Sequence, residues 1–409
     1  MDYRTAVNPT FLTAQATLFM LAGAGNADAK ELIRDLEIRN TIAEKKDERA
    51  ALMPEAELEA LKAGAALAVE ARYAAVSRLL AGGGYGSVLD IACGFTPRSL
   101  FCRKAGIDYV GMDLPVVADQ LQAYAAKKFP DAKHAAYTGG DATNAASLEA
   151  AARMLEGELF ISSEGLMNYL SKDEQEQFFA GIRAVLLKHS GAWYSADFGV
   201  DYEQFAVRNM SGGDAVALYQ AAKQQAMQQS DIYNGVYRPA TEDERQAFLE
   251  ANGLKVEKLP FYHGDEDLGL LKAVAPGKRD AMLDQLKQSS IWKMTPDTSA
   301  VVKGVIAGAK IIDNLNIDFG VEDGVLNCRV AGRVDTITAP VLMEVLEENG
   351  EGAKEFRLDA TKLQYISSAG LRVLLKAVKK TGRVTVANAS DAVKEIFETT
   401  GFDQMVTLE

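Results

Sequence analysis

From Gly86 to Asp197 the chain alternates short apolar runs with longer amphipathic stretches, and few folds accept that alternation. Ser87–Ile91, Tyr109–Met112, His134–Thr138, Leu159–Ser163 and Ala192–Asp197 read as strands. Between them, residues 98–105, Val117–Lys128, Ala145–Leu155 and Lys172–Lys188 read as helices. Parallel neighbours need a crossover, usually a helix, so this order predicts a mostly parallel sheet of the Rossmann-like α/β class. A further helix, Thr241–Asn252, stops at Gly253. Leu254–Tyr262 and Leu268–Ala275 then read as two more strands, with only His263–Asp267 between them. They are expected to close a seven-stranded sheet as an antiparallel hairpin.

The rest of the chain divides around this unit. Its 409 residues exceed what one core usually serves, so two domains are expected. Residues 1–84 read as a helical N-terminal lid: apolar Leu32, Ile33, Leu36, Ile38 and Ile42 recur at roughly helical spacing, and Glu55–Leu80 is rich in Ala and Leu. Residues 85–278 hold the sheet, with an aromatic-bearing insertion at 198–240 that includes Tyr202, Phe205, Tyr219, Tyr233 and Tyr237. Residues 279–312, with Trp292 and Pro296, read as a helical linker. Residues 313–409 start a second, small α/β unit. There Ile317–Glu322 and Val325–Val334 flank Asp323-Gly324, a strong hairpin signal. Helices at Ala339–Asn349, Ala369–Lys380 and Asp391–Thr399 alternate with strands at Glu355–Leu358 and Val384–Ala387.

Charge and cysteine usage narrow the class. A net charge of −13 disfavours nucleic acid as a partner, because phosphate binding needs a basic surface. No run approaches the roughly 18–20 apolar residues of a membrane span, so no membrane partner is expected. Phe11–Gly25 is moderately apolar, but Thr13, Gln15 and Thr17 interrupt it and Met1-Asp2-Tyr3-Arg4 lacks a basic excess, which favours an amphipathic helix over a signal peptide. Cys93, Cys102 and Cys328 match no zinc spacing, so no metal is expected, and an odd count suits reduced thiols in the cytoplasm.

The first strand runs into Asp90-Ile91-Ala92-Cys93-Gly94-Phe95-Thr96-Pro97-Arg98 before the first helix. Ligands of open α/β sheets bind beyond the carboxyl ends of the strands, and small residues there let the backbone approach them. The second strand ends at Gly111-Met112-Asp113-Leu114-Pro115, the third leads to Gly139-Gly140-Asp141-Ala142, and the fourth to Ser163-Glu164-Gly165. Any one of these acids can be a helix N-cap. Four at successive strand ends point to one ligand with hydroxyl and amino groups. A nicotinamide cofactor could use the turn and the second acid. However, Ala92 and Pro97 stand where the diphosphate-binding G-x-G-x-x-G pattern has glycines.

Residues 87–197 resemble a class I S-adenosylmethionine (SAM)-dependent methyltransferase, of the leucine carboxyl methyltransferase-like O-methyltransferase family. The likeness rests on the acid-x-(Gly/Ala)-x-Gly turn, the Asp113-Leu114-Pro115 strand end, Asp141, and Glu164-Gly165 with Tyr169-Leu170. It implies that Asp90, Ala92, Gly94 and Arg98 belong to the cofactor site. By the same likeness Asp113 holds the ribose, with Leu114 beside it in the cofactor site, Asp141 and Ala142 meet the adenine, and Glu164 binds the methionine amino group. Family members more often carry glycine at the position of Ala92. They also place an arginine near the methyl acceptor, for which Arg72 and Arg78 are the candidates here. A small carboxylate acceptor needs no base, whereas a hydroxyl would need one, with His263 or Tyr169 as candidates.

In the tail, Ser367-Ser368-Ala369-Gly370-Leu371 opens a helix. Serine there serves as an N-cap, and a helix N-terminus also tolerates a phosphoserine. With Gly332-Arg333-Val334-Asp335, Asp359 and the closing helix, the region 315–409 resembles a STAS domain, the fold of bacterial anti-sigma-factor antagonists. The resemblance implies partner switching: an anti-sigma-type serine kinase binds the domain and releases it on phosphorylation. Many relatives read Asp-Ser-Ser-Gly. Aligned on Gly370, the acceptor position falls on Ser368, with Ser367 second, and Asp335 lies near it. The expectation is therefore an O-methyltransferase coupled to a STAS domain. The alternative is a non-catalytic SAM sensor acting as an anti-sigma factor antagonist.

Overall fold

The structure, a computed structural model, describes residues 9–39, 54–129, 135–210, 212–229, 235–264, 266–274, 276–297, 308–312 and 315–409. Ile42, His134, Tyr233 and residues 298–307 of the expected linker lie outside the described residues. The lid comprises helices α1 (Pro9–Gly23), α2 (Ala27–Asp35) and α3 (Glu55–Gly82). The first sheet and its crossovers follow as β1 (Ser87–Ile91), α4 (Arg98–Ala105), β2 (Asp108–Asp113), α5 (Pro115–Lys128), β3 (Ala136–Gly139), α6 (Ala145–Ala152), β4 (Leu159–Ser163), α7 (Lys172–His189) and β5 (Gly191–Ser195). The insertion carries α8 (Tyr202–Arg208) and α9 (Gly213–Gln229). Then come α10 (Glu242–Ala251), β6 (Leu254–Pro260), α11 (Gly269–Ala273), α12 (Pro276–Gln288) and β7 (Ser290–Pro296).

Local chemistry explains several boundaries. Ser171 and Glu174 form a capping box at the start of α7, and Thr241 and Glu244 form another at α10. Strands β1 and β4 are buried along their whole length, as expected of strands covered on both faces. The strand order is β3-β2-β1-β4-β5-β7-β6, with only β7 antiparallel to its neighbours. This is the mostly parallel seven-stranded sheet with an antiparallel end that the methyltransferase likeness implied. Apolar clusters fill both faces: one holds Phe95, Tyr109 and Phe160, the other Leu89, Ile161 and Trp193.

The closing strands differ from expectation. Leu268–Ala275 is not a strand, because α11 spans most of it. Glu70 of α3 accepts the amides of Gly269 (2.6 Å) and Leu270 (2.9 Å), which satisfies the first N–H groups of a short helix. The partner of β6 is β7, paired from Leu254↔Pro296 to Pro260↔Ser290. Residues 279–312 are therefore not a helical linker. They contain most of α12, all of β7 and a strand of the second sheet. Trp292, read as a linker residue, is fully buried in β7 and stacks on Phe198 with ring centroids 5.6 Å apart.

The second unit comprises β8 (Gly308–Ile312), β9 (Leu315–Glu322), β10 (Val325–Val334), α13 (Ala339–Asn349), β11 (Glu355–Ile366), α14 (Ser368–Thr381), β12 (Val384–Ala387), α15 (Asp391–Thr400) and β13 (Thr407–Leu408). Its sheet runs β13-β12-β11-β10-β9-β8 and has its own core, including Leu326, Leu342, Phe356 and Phe397. β11 is longer than expected, and β8 and β13 had no clear sequence signal. The Asp323-Gly324 hairpin forms as read, with φ of 49° and 79°, the paired positive angles of a type I′ turn. Gly324→Ala is expected to destabilise this unit by roughly 1 kcal/mol, because alanine pays for the left-handed conformation. Urea unfolding followed by far-UV circular dichroism measures it, and an unchanged midpoint would contradict the turn.

Candidate functional site

β1 pairs with β2 on one side and β4 on the other, so the strand order reverses at β1. A cavity of about 1660 Å³ opens beyond the carboxyl ends at that point, where open α/β sheets bind ligands. Four strand ends reach it. The turn after β1 contributes Ala92 and Gly94, β2 contributes Asp113 and Leu114, the loop after β3 contributes Asp141 and Ala142, and the loop after β4 contributes Glu164. The roof comes from Met20 of α1, Arg72 of α3, and Tyr202 and Tyr219 of the insertion. Asp113, Asp141 and Glu164 are thus brought to one cavity. Asp90 and Arg98 are not among its lining residues and are buried.

The turn is held by its acid. Asp113 accepts the amide of Gly94 and its neighbour's amide at Leu114, both at 2.7 Å. Burial raises the Asp113 pKa, and those two N–H groups oppose the rise. Ala92 and Gly94 both adopt left-handed backbone, with φ of 53° and 52°. A Cβ at position 94 would lie 3.2 Å from the Cβ of Ala14, so the helical lid closes directly on the turn. Asp141 Oδ1 accepts the amide and the hydroxyl of Thr143, both at 2.8 Å.

Beside the cavity lies a layer of charge. Arg98 pairs with Glu164 Oε1, and Arg72 Nε lies 2.8 Å from Glu164 Oε2. Asp90 accepts from Ser162 (2.6 Å) and Tyr109 (3.0 Å), with Arg98 Nε 3.5 Å away. Asp197, just past β5, accepts the amides of Gly165 (2.7 Å) and Met167 (3.2 Å) and fixes the turn that carries Glu164. Arg72 also donates to the Tyr202 hydroxyl at 3.2 Å. Burial raises the pKa of Asp90 and of Asp197, and an arginine opposes it in each case. Burial works against the charge of Arg72, but Tyr202, Glu164 and Asp197 outweigh it and hold its pKa above the usual range.

The sequence places Asp197 at a strand end and Tyr202 in the aromatic insertion but marks neither as a site residue. The signal for Asp197 was available, since it is a fifth acid at a strand end. Of the two nominated arginines, Arg72 lines the cavity, whereas Arg78 pairs with Glu266 and donates to the Pro260 carbonyl at 2.8 Å. Tyr169 lines the cavity; His263 is exposed and does not. Among the described residues no three His, Cys, Asp or Glu side chains are grouped to hold a metal, and no helix is long and apolar enough to cross a membrane.

In the second unit Ser367 is the N-cap of α14. Its Oγ accepts the Ala369 amide at 3.2 Å and its own amide donates to the Val334 carbonyl at 2.8 Å. That bond sets Ser367 beside the residue before Asp335. Ser368 is exposed in the first turn of the helix. Asp335 Oδ1 accepts the amides of Ile337 (3.0 Å) and Thr338 (3.3 Å), the first cause of its lowered pKa being the Ile337 amide.

Residues 317–407 match the family model described as Mlab, STAS domain. The C-terminal unit is a STAS domain. It is 29% identical over 99 residues to the anti-sigma-B factor antagonist of Bacillus subtilis (strain 168), covering 23% of this chain and 91% of that protein. Among solved structures, an anti-sigma factor antagonist from Mycobacterium paratuberculosis is similar at 24% identity, over 24% of this chain and 88% of that one, with a TM-score of 0.21. An O-methyltransferase family protein from Burkholderia thailandensis is similar at 12% identity, over 58% of this chain and 59% of that one, with a TM-score of 0.34.

The left-handed alanine of the first turn is open to test. Ala92→Gly relieves an unfavourable φ and is expected to raise stability by roughly 0.5–1 kcal/mol, reduced by the greater freedom of glycine in the unfolded chain. Thermal unfolding of the purified chain measures it, and a lower midpoint would contradict the conformation of this turn.

Proposed function

We propose that the N-terminal unit is a SAM-dependent O-methyltransferase and that the STAS domain switches partners through phosphorylation of Ser368. The observation that carries the first part is the meeting of Asp113, Asp141 and Glu164 at one cavity, around a turn without the glycines a diphosphate requires. The residues present fit SAM. The space at Gly94 would be filled by a side chain, and Asp113 is held by the turn itself, facing the same cavity.

When bound, SAM supplies an electrophilic methyl group on sulfur. The chain's part is to bind and orient. Asp113 accepts the ribose hydroxyls, and Leu114, 41% exposed, offers an apolar surface at the cavity edge. Asp141 and Ala142 meet the adenine. Glu164 would take the methionine ammonium, with Arg98 and Arg72 fixing its carboxylate and Asp90 beside Arg98. Methyl transfer would be an in-line displacement, to which the chain would contribute alignment beneath the roof of α1, α3 and the insertion. A small carboxylate acceptor arrives ionised. A hydroxyl acceptor would hand its proton to a base, and Tyr169 is the nominated side chain that reaches the cavity.

Incubation with SAM tritiated on the methyl group, against small carboxylic acids, phenols and a cell extract, is expected to move label to a small acceptor. Binding of SAM without any transfer would favour the sensor reading, and displacement of SAM by NAD would overturn both. Asp113→Asn is expected to weaken SAM binding at least about tenfold, equivalent to ~1.4 kcal/mol. The sign of the pH effect follows from burial. The raised pKa makes Asp113 take up a proton sooner than an ordinary carboxyl as pH falls, and the neutral form is a poorer acceptor. SAM affinity in titration calorimetry should therefore fall from neutral to mildly acidic buffer in the natural chain, with a flatter profile in Asp113→Asn.

For the tail, Ser368→Ala should abolish phosphorylation by an anti-sigma-type serine kinase, and Ser368→Asp should weaken binding to it. Exposure of Ser368 and the favourable field of a helix N-terminus support this choice. Full phosphorylation of Ser368→Ala, together with loss in Ser367→Ala, would move the acceptor to Ser367.

A further inference from the structure

In β9, Ile317 and Phe319 point into the core of the STAS domain. Asp318 between them must point the other way, where a strand of a small two-layer domain normally meets water. Asp318 is nevertheless buried, with 5% of its surface exposed. What covers it is α7 of the N-terminal unit: Arg183 pairs with Asp318 across the two units and is itself 4% exposed. On α7, Ile182, Val185 and Leu186 face the core of their own unit, whereas Arg183 reaches Asp318 of the other. Gly253, with φ of 76°, lies under the arginine, and a Cβ there would come within 2.9 Å of Arg183 Nε. A second contact links Lys362 of β11 to the Ala251 carbonyl (3.3 Å) and to Asn252 Oδ1 (3.4 Å). The edge strand β8 lies along α7 and reaches α6.

We propose that α7 carries a docking face for the STAS domain of the same chain, and that the Arg183–Asp318 pair is a separable latch on it. The pair suits orientation better than permanent attachment. Among the described residues, Arg183 Nε and Nη2 and Asp318 Oδ1 have no hydrogen-bond partner. A buried pair satisfied on one side only is a weak source of stability, yet removing one member strands the other charge. Separation returns all these atoms to water, which offsets part of the cost of breaking the pair. Docking covers the β8 edge and leaves Ser368 exposed. A partner at Ser368 therefore meets the tail with the latch shut.

The test is charge reversal and exchange in the full chain, read by small-angle scattering and scanning calorimetry. Arg183→Glu and Asp318→Arg are each expected to enlarge the radius of gyration and to split the unfolding into two transitions. The double exchange Arg183→Glu with Asp318→Arg should restore the compact, coupled form. Single variants as compact as the natural chain, with unaltered unfolding, would overturn the latch, as would a double exchange no more compact than either single. Where Arg183→Glu loses helix by circular dichroism, Gly253→Ala takes its place: it should displace the arginine and open the chain, and a compact Gly253→Ala with unaltered unfolding counts against the latch.

Discussion

Glu164 sits between two buried guanidinium groups, and the carboxyl edge of the first sheet is organised around that arrangement. Arg98 comes from the helix after β1, Arg72 from the long lid helix, and Glu164 from the loop after β4. One carboxylate therefore ties together three parts of the chain that are distant in sequence. Breaking a buried ion pair by removing one partner costs about 3–5 kcal/mol, so the cluster must assemble whole. Counted as ions, Asp90, Glu164 and Asp197 exceed Arg72 and Arg98 by one negative charge. A ligand bearing an ammonium, as the proposed methyl donor does, would bring a positive charge to this end of the cavity, where Glu164 and Asp197 line it.

The turn after β1 carries the same logic in its backbone. A diphosphate is held by successive amides at a helix N-terminus and needs glycines for close approach. Here the Gly94 amide is already committed to Asp113, and Pro97 brings no amide to the start of α4. Ala92 accepts a left-handed conformation that glycine takes without penalty. The turn is thus shaped to position an acid rather than to cradle phosphate.

Much of this architecture was legible because its signals are local. The runs of β1, β4, β10 and β12 read clearly, and Asp323-Gly324 announced its own turn. The closing strands were less legible for a physical reason. Leu268–Ala275 and Ser290–Pro296 are both short apolar runs, and periodicity alone does not say which becomes a strand. Glu70, about 200 residues upstream in sequence, caps the first run and makes it helical. Asp113, Asp141 and Glu164 could be nominated as strand-end acids. The pairing of Glu164 with both Arg98 and Arg72 could not, since it depends on a lid helix folding over the sheet.

The two units have separate cores, yet each leaves something that the other resolves. A six-stranded open sheet has two edges, and unpaired edges invite association with other chains. β13, one edge of the STAS sheet, is only two residues long. β8, the other edge, lies against α6 and α7. On the N-terminal side, Arg183, on the tail-facing side of α7, takes its acidic partner from the other unit. An exposed arginine would be unremarkable, but a buried one requires its acid, and Asp318 is the acid within reach. The face that hides the strand edge is thus also the one on which Arg183 meets Asp318, with Lys362 as a second link between the units.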